Sequence, residues 1–150
     1  MPTFTTAVIA SVAAAAAAAY DTFHTGANRP ARLREKRHST TVATYTPIGL
    51  IFASNTPVAT TSTTPQPHGA STVEAAATCA LDTAWSTAPT VAAIYLETLA
   101  LGPAQGQVVI ETYPLDGQGA LTIPKSTYIC EWNFSAAQGG AMAVTWIYDE

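Results

Sequence analysis

Three carboxylates in the second half of the chain are the side chains that most invite a chemical interpretation. Glu97, Glu111 and Glu131 lie in three different segments of alternating apolar and polar residues. A glycosidase-type site needs two carboxyl groups that converge on one cleft, and the sequence does not show such convergence. We therefore interpret each of them as an outward-facing residue of a strand, and we predict no catalytic residue.

The histidines are isolated from other metal ligands. His24, His38 and His68 lie in different segments, without a second His, a Cys or a carboxylate at a metal-ligand spacing. The sequence has no G-x-S-x-G motif and indicates no Ser-His-Asp set. Gly117 and Gly119 form a G-x-G, but no third glycine and no helix follow, which is typical of a hairpin turn. The sequence thus predicts neither a metal ion nor a cofactor.

Two cysteines, Cys79 and Cys130, permit one disulfide. Cys130 lies in an alternating segment between Tyr128 and Trp132, where its neighbours are apolar or acidic. Such neighbours raise the pKa of a thiol, so Cys130 lacks the surroundings of a nucleophile. We favour a free buried thiol at Cys130, and the pairing of the two cysteines stays open.

The large aromatic residues near the C-terminus are predicted to pack rather than to bind a ligand. Tryptophan can stack on sugars, but packing in the core or in an interface is its ordinary role in a sandwich. The predicted core or interface residues are Trp132, Trp146 and Tyr148.

A basic segment at residues 28–38 contrasts with an otherwise acidic chain. The formal charge is +3 for residues 1–38 and −7 for residues 39–150. Nucleic-acid binding usually needs a larger basic face with aromatic residues, and none lies between Phe23 and Tyr45, so we predict no nucleic-acid partner. Two interpretations stay open: a solvated turn or short helix, and contact with an acidic surface of a protein partner. The predicted partner-binding residues are Arg29, Arg32, Arg34, Lys36 and Arg37.

The elements that must position these residues are mostly strands. Residues 91–148 consist of short alternating runs, each of which ends at a Gly, Pro or Asp cluster. This pattern is typical of a small antiparallel β-sandwich or barrel. With a contribution from residues 42–52, about six to eight strands are predicted, which is enough to close a sandwich.

The N-terminal segment is predicted to form a helix. Residues 13–19 are seven consecutive alanines, and alanine has the highest helix propensity. The apolar run is too short for a bilayer core of about 30 Å. A signal peptide would need a basic residue ahead of the run, and the first basic residue is Arg29. We therefore predict a packing helix and no membrane partner. The predicted packing residues are Val8, Val12, Tyr20 and Phe23.

The composition between the helix and the sandwich predicts a linker. Residues 39–73 contain no Asp, Glu, Lys or Arg, and Pro57, Pro65 and Pro67 lie in a Thr/Ser-rich run. We predict an N-terminal part, residues 1–72, with the helix, the basic segment and an extended arm. Residues 73–150 are predicted to form a mainly β, jelly-roll-like antiparallel sandwich. Only 11 % of the residues are charged, against about 25 % in typical domains, which suggests a surface that is covered by neighbouring subunits or solvated mainly by Thr, Ser and Gln.

The last part of the chain resembles a known family. Residues 119–150 read GALTIPKSTYICEWNFSAAQGGAMAVTWIYDE. They resemble the C-terminal strands of small β-sandwich decoration (cement) proteins on tailed-bacteriophage heads: a short strand, a turn, an aromatic strand, a Gly-rich turn and a last strand. The resemblance implies a non-catalytic structural protein on the capsid surface of a virion. Its implied partners are the major capsid protein or other virion proteins, and further copies of itself in a trimer or dimer. The alternative is a surface-displayed carbohydrate- or receptor-binding module of the fibre or tail type.

Overall fold

The computed structural model describes residues 2–8, 14–68, 77–92, 94–114 and 120–150, which form strands and no helix. None of these segments is therefore a helix that could cross a membrane. The strands are β1 (Thr3–Val8), β2 (Ala19–His24), β3 (Ala31–Thr40), β4 (Thr46–Phe52), β5 (Val58–Thr63), β6 (Gln66–Pro67), β7 (Ala80–Thr87), β8 (Glu97–Leu101), β9 (Val108–Thr112), β10 (Thr122–Ile123), β11 (Tyr128–Trp132) and β12 (Met142–Asp149).

The strands form two antiparallel sheets, which we name sheet A and sheet B. Sheet A has the order β10-β3-β12-β1-β6, and β9 also pairs with β3. Sheet B has the order β5-β7-β2-β11-β4-β8. Side chains from both sheets, including Phe4, Leu33 and Trp146 of sheet A and Phe23 and Leu50 of sheet B, pack into one core. The prediction of a mainly β, antiparallel, sandwich-like fold is confirmed.

Aromatic side chains join the two sheets at the centre of this core. Phe23 of β2 stacks on Trp146 of β12, with ring centroids 5.0 Å apart and 6° between the ring planes. Phe23 also meets the edge of Tyr148 at a centroid distance of 4.8 Å. Trp146 and Tyr148 are fully buried and belong to the core, whereas Trp132 on β11 is half-buried.

The predicted N-terminal helix is wrong for the described residues. Thr3–Val8 is strand β1 and Ala19–His24 is strand β2, and residues 14–18 between them contain a turn rather than a helix. Alanine's helix propensity is a weak preference that tertiary pairing overrides. Here β1 forms six residue pairs with β12, and β2 lies between β7 and β11.

The predicted helix-packing residues that the structure describes therefore lie on strands. Tyr20 and Phe23 are both buried in β2, and Val8 is the last residue of β1. Val12 lies outside the described residues. A shared helical face has no counterpart in a strand, where residues two apart lie on one face.

The predicted linker and the predicted division into two parts also differ from the structure. Within the Thr/Pro-rich run, Val58–Thr63 is β5, which pairs with β7, and β6 pairs with β1. Strands from before and after residue 72 alternate in both sheets, because β1 and β3 flank β12, and β7 and β11 flank β2. Residues 1–72 and 73–150 therefore share one core and are not an arm and a body.

Candidate functional site

Strand β3 carries the basic segment through sheet A, and a β-bulge sets which of its side chains face the core. Leu33 lies opposite Tyr148 of β12, but the neighbouring pair joins Glu35 to Ile147. Arg34 is therefore the extra residue of the bulge. Side chains of a strand normally alternate between its two faces, and an extra residue shifts this alternation by one position. The inward-facing residues therefore have odd numbers before the bulge and even numbers after it.

The bulge divides the basic residues between two faces of sheet A. Lys36 and His38 point into the sandwich, and Lys36 is only 2 % exposed. Arg34 and Arg37 are on the outer face, with side chains 40 % and 50 % exposed. From residue 31 onward the basic segment is thus a strand inside a sheet, and the interpretation as a solvated turn or short helix is wrong there. Lys36 is not available to a partner surface.

The ammonium of Lys36 lies at the centre of a group of buried and half-buried ionisable side chains, which we name the charge cluster. Its members are Asp21, Lys36, His38, Glu97, Glu111 and Glu131. The Lys36 Nζ atom lies 2.8 Å from Glu97 Oε1, 3.1 Å from Glu111 Oε2 and 3.6 Å from Glu131 Oε1. These carboxylates come from β8, β9 and β11, so one lysine bridges both sheets. The interpretation of the three carboxylates as outward-facing residues is therefore wrong.

Further polar contacts hold His38 and Glu97 in the charge cluster. His38 Nε2 lies 2.7 Å from Glu131 Oε1, and His38 Nδ1 lies 3.5 Å from Glu111 Oε2. The hydroxyl of Tyr113 donates to Glu97 Oε1. The ammonium of Lys36 and the imidazole of His38 are thus surrounded by carboxylates of the cluster.

Two adjacent carboxyl groups in the charge cluster have opposite pKa shifts. Asp21 of β2 lies opposite Glu131 of β11, and both are fully buried. Burial and the neighbouring Glu131 carboxylate raise the pKa of Asp21 well above its usual range. Burial also opposes ionisation of Glu131, but His38 and Lys36 outweigh it and lower the pKa of Glu131 to about 2. Glu131 is therefore the group that loses its proton first.

The charge cluster is suited to fastening the two sheets of the sandwich. Burial alone would lower the pKa of Lys36, but Glu131 and the other carboxylates raise it above its usual value, so Lys36 stays an ammonium. A catalytic acid or base must exchange a proton with its substrate, and Lys36, His38 and Glu131 are almost completely buried. Within the described part of the chain, no group of His, Cys, Asp and Glu is arranged to hold a metal ion.

We expect Asp21→Asn to raise the free energy of unfolding at neutral pH. A carboxyl group with a raised pKa in the folded state loses stabilising effect as the pH rises above its unfolded-state pKa of 3.8. Asparagine has a shape similar to that of aspartic acid and stays neutral at every pH. The increase in the free energy of unfolding caused by Asp21→Asn should therefore grow from acid to neutral pH. Urea unfolding across that pH range measures it.

Glu131→Gln is the matched control for Asp21→Asn. It removes a carboxylate that Lys36 and His38 contact, and its lowered pKa stabilises the fold above the unfolded-state pKa of 4.5. This variant should therefore lose stability at neutral pH. Changes of the same sign in the two variants would contradict the protonation states assigned to the pair.

The outer face of β3 lines a groove with a volume of about 340 Å³. Its lining residues are Thr3, Arg34, Glu35, Arg37, His68, Tyr113 and Ile147. Of the predicted partner-binding residues, the structure brings Arg34 and Arg37 together here. Arg29 and Arg32 are exposed but do not line the groove.

Sequence reasoning missed the charge cluster as a unit. One usable signal was present: Lys36 and His38 are two residues apart, which places both side chains on one face of a strand. The segment was not predicted as a strand, and the carboxylates that meet these residues come from β8, β9 and β11.

The two cysteines do not add a reactive site. Cys79 and Cys130 are both free and buried, as predicted for Cys130. Burial raises the pKa of each thiol to about 12, so neither is a thiolate at neutral pH.

No family model matches the chain, and no curated protein and no solved structure matches it. The proposed function therefore rests on the residues and their geometry.

Proposed function

We propose that this chain is a structural virion protein, a capsid decoration protein that binds neighbouring capsid subunits. A pair of apolar strand edges on one side of the sandwich carries this proposal. β8 is the last strand of sheet B, and β9 pairs with β3 and with no other described strand. Glu97 of β8 and Glu111 of β9 both contact Lys36 Nζ, so the two edges lie next to each other.

Large apolar side chains are exposed along these two edges. Val108 and Ile110 of β9 are 60 % and 55 % exposed, and Ile94 and Leu96, which precede β8, are 81 % and 47 % exposed. An open edge presents unpaired N–H and C=O groups that can pair with another chain. Exposed apolar side chains beside such an edge are typical of a surface that binds another protein.

The C-terminal strands give further support. β10, β11 and β12 follow one another as a short strand, an aromatic strand and a last strand, with Gly139 and Gly140 in the final connection. This is the order in the decoration proteins that residues 119–150 resemble. The proposed partners are the major capsid protein or other virion proteins, together with further copies of the chain in a trimer or dimer on the capsid surface.

If the β8–β9 side is the interface, Ile110→Lys should convert an oligomer of the purified chain into a monomer. A lysine at an open edge opposes pairing with another strand. Light scattering coupled to size exclusion measures the mass of both proteins. The matched control is Val58→Lys, because Val58 is also exposed (51 %) but lies on β5, at the opposite edge of sheet B.

Two results would contradict this interface. One is a wild-type chain that stays monomeric at every concentration. The other is an oligomer that withstands Ile110→Lys and dissociates with Val58→Lys.

The virion assignment has a separate test. Mass spectrometry of virus particles banded in a density gradient should detect the chain among the capsid proteins. Absence of the chain from such particles would exclude capsid decoration and would leave the β8–β9 interface standing.

A further inference from the structure

Ion pairs hold the side chains of the groove on the outer face of sheet A. Arg34 Nε lies 2.8 Å from each carboxylate oxygen of Asp149. Asp149 also accepts a hydrogen bond from Thr3 Oγ1 at 2.6 Å. Arg37 pairs with Glu35. Both guanidinium groups are thus oriented before a ligand arrives, which lowers the entropic cost of binding.

The paired side chains keep hydrogen-bonding capacity for a ligand. A guanidinium has five N–H donors, and both pairs use the Nε–H. The Nη groups of Arg34 and Arg37 take no part in these two pairs. His68 Nδ1 forms a hydrogen bond with Thr5 Oγ1 at 2.6 Å. The second ring nitrogen of His68, Nε2, is not part of this hydrogen bond. Donors and acceptors therefore lie side by side along the groove.

The formal charges of the groove cancel. Arg34 is balanced by Asp149 and Arg37 by Glu35. The whole chain carries a net charge of −4, so neither the groove nor its surroundings attract an anion strongly. Hydroxyl groups both donate and accept hydrogen bonds, so they match a surface on which donors and acceptors alternate.

Tyr113 and Ile147 give the groove a less polar wall. The Tyr113 hydroxyl donates to Glu97, which fixes the position of the ring. Small-ligand sites have volumes of about 300–1,000 Å³ and fix a ligand's orientation with a few positioned polar groups. The volume of this groove, about 340 Å³, suits a small ligand.

We propose that this groove binds an uncharged saccharide. The sugar hydroxyls contact the Arg37–Glu35 and Arg34–Asp149 pairs, and the C–H face of the sugar ring packs on Tyr113. This binding does not depend on the β8–β9 interface, so either site can exist without the other.

Nuclear magnetic resonance of the ¹⁵N-labelled full chain tests the groove at the arginines themselves. The probes are the methyl glycosides of glucose, galactose, mannose and N-acetylglucosamine, disaccharides of the same sugars, and inorganic phosphate as an anion. We expect saturable shifts of the Arg34 and Arg37 Nε–H signals with at least one saccharide. Arg37→Gln should weaken its binding about tenfold or more, because charge-assisted hydrogen bonds are lost.

The matched control is Arg32→Gln, an exposed position on the same strand outside the groove, which should leave binding unchanged. Backbone spectra show whether each variant keeps the fold. A saccharide site is excluded if no saccharide gives saturable shifts, or if Arg37→Gln binds as tightly as the wild type. It is also excluded if phosphate shifts the arginine signals at lower concentration than every saccharide, since the groove would then be an anion site.

Discussion

Lys36→Met is expected to lower the free energy of unfolding by about 3–5 kcal/mol, the usual effect of removing one partner of a buried ion pair. Methionine keeps much of the apolar stem of lysine, so the packing changes little. Glu131, however, stays fully buried without the ammonium that lies 3.6 Å from it. The carboxylates of Glu97 and Glu111 also lose the charge between them. Since domains are stable by only about 5–15 kcal/mol, the variant should unfold at a clearly lower urea concentration.

Urea unfolding followed by circular dichroism measures this loss. Arg37→Met removes the same charge from the neighbouring position of β3, but at an exposed site, so it should cost at most about 1 kcal/mol. Adding Glu131→Gln to Lys36→Met should restore part of the stability, because it removes a buried carboxylate that has lost the Lys36 ammonium. Equal losses for Lys36→Met and Arg37→Met would show that the charge cluster does not hold the two sheets together.

The C-terminal strands can be predicted from the sequence, because apolar and polar residues alternate clearly where one face of a strand is buried. The predicted strands at the C-terminus are present as β11 and β12. The alanine-rich segment is different, because alanine fits a helix and a strand and has little apolar area to mark either face. The strands on either side of it, β1 and β2, are fixed by partners that lie more than fifty residues away, in β6, β7, β11 and β12.

The charge cluster could not be predicted from alternation alone. Its six members lie on β2, β3, β8, β9 and β11. Alternation predicts which face of the sheet a side chain lies on, but it does not predict which strands lie next to each other. The bulge at Arg34 adds a second difficulty, because it shifts the inward face of β3 between Leu33 and Lys36. The groove shows the same limit: Arg34 and Arg37 were predicted to bind a partner, but nothing in the sequence placed His68 beside them.

The charge cluster and the proposed interface are parts of one arrangement. Lys36 contacts β8 and β9 directly behind their open edges, so its ion pairs hold the two edges at a fixed separation. An interface needs such fixed geometry, because ordering flexible edges on binding costs conformational entropy. Loss of the cluster should therefore weaken association through β8 and β9 as well as folding.

Trp146→Ala is expected to cost about 3–5 kcal/mol, the range for removing a large aromatic side chain from a core. Trp146 is fully buried, and its ring stacks on Phe23 at 5.0 Å. The Lys36 ammonium lies 5.6 Å from the ring centroid, within the distance of a cation–π contact. Removal of the indole therefore opens a cavity between the sheets and weakens the surroundings of the charge cluster. Trp146→Phe keeps an aromatic ring and should lose clearly less stability.

The matched control is Trp132→Ala, which removes the same side chain from a half-buried position on β11. Less apolar area returns to water there, so the loss should be smaller. Circular dichroism is the suitable probe in urea and on heating, because each variant lacks one of the fluorescent tryptophans. A loss in Trp132→Ala as large as that in Trp146→Ala would mean that Trp132 is packed as closely as Trp146. Trp146 would then not be the side chain that joins the two sheets.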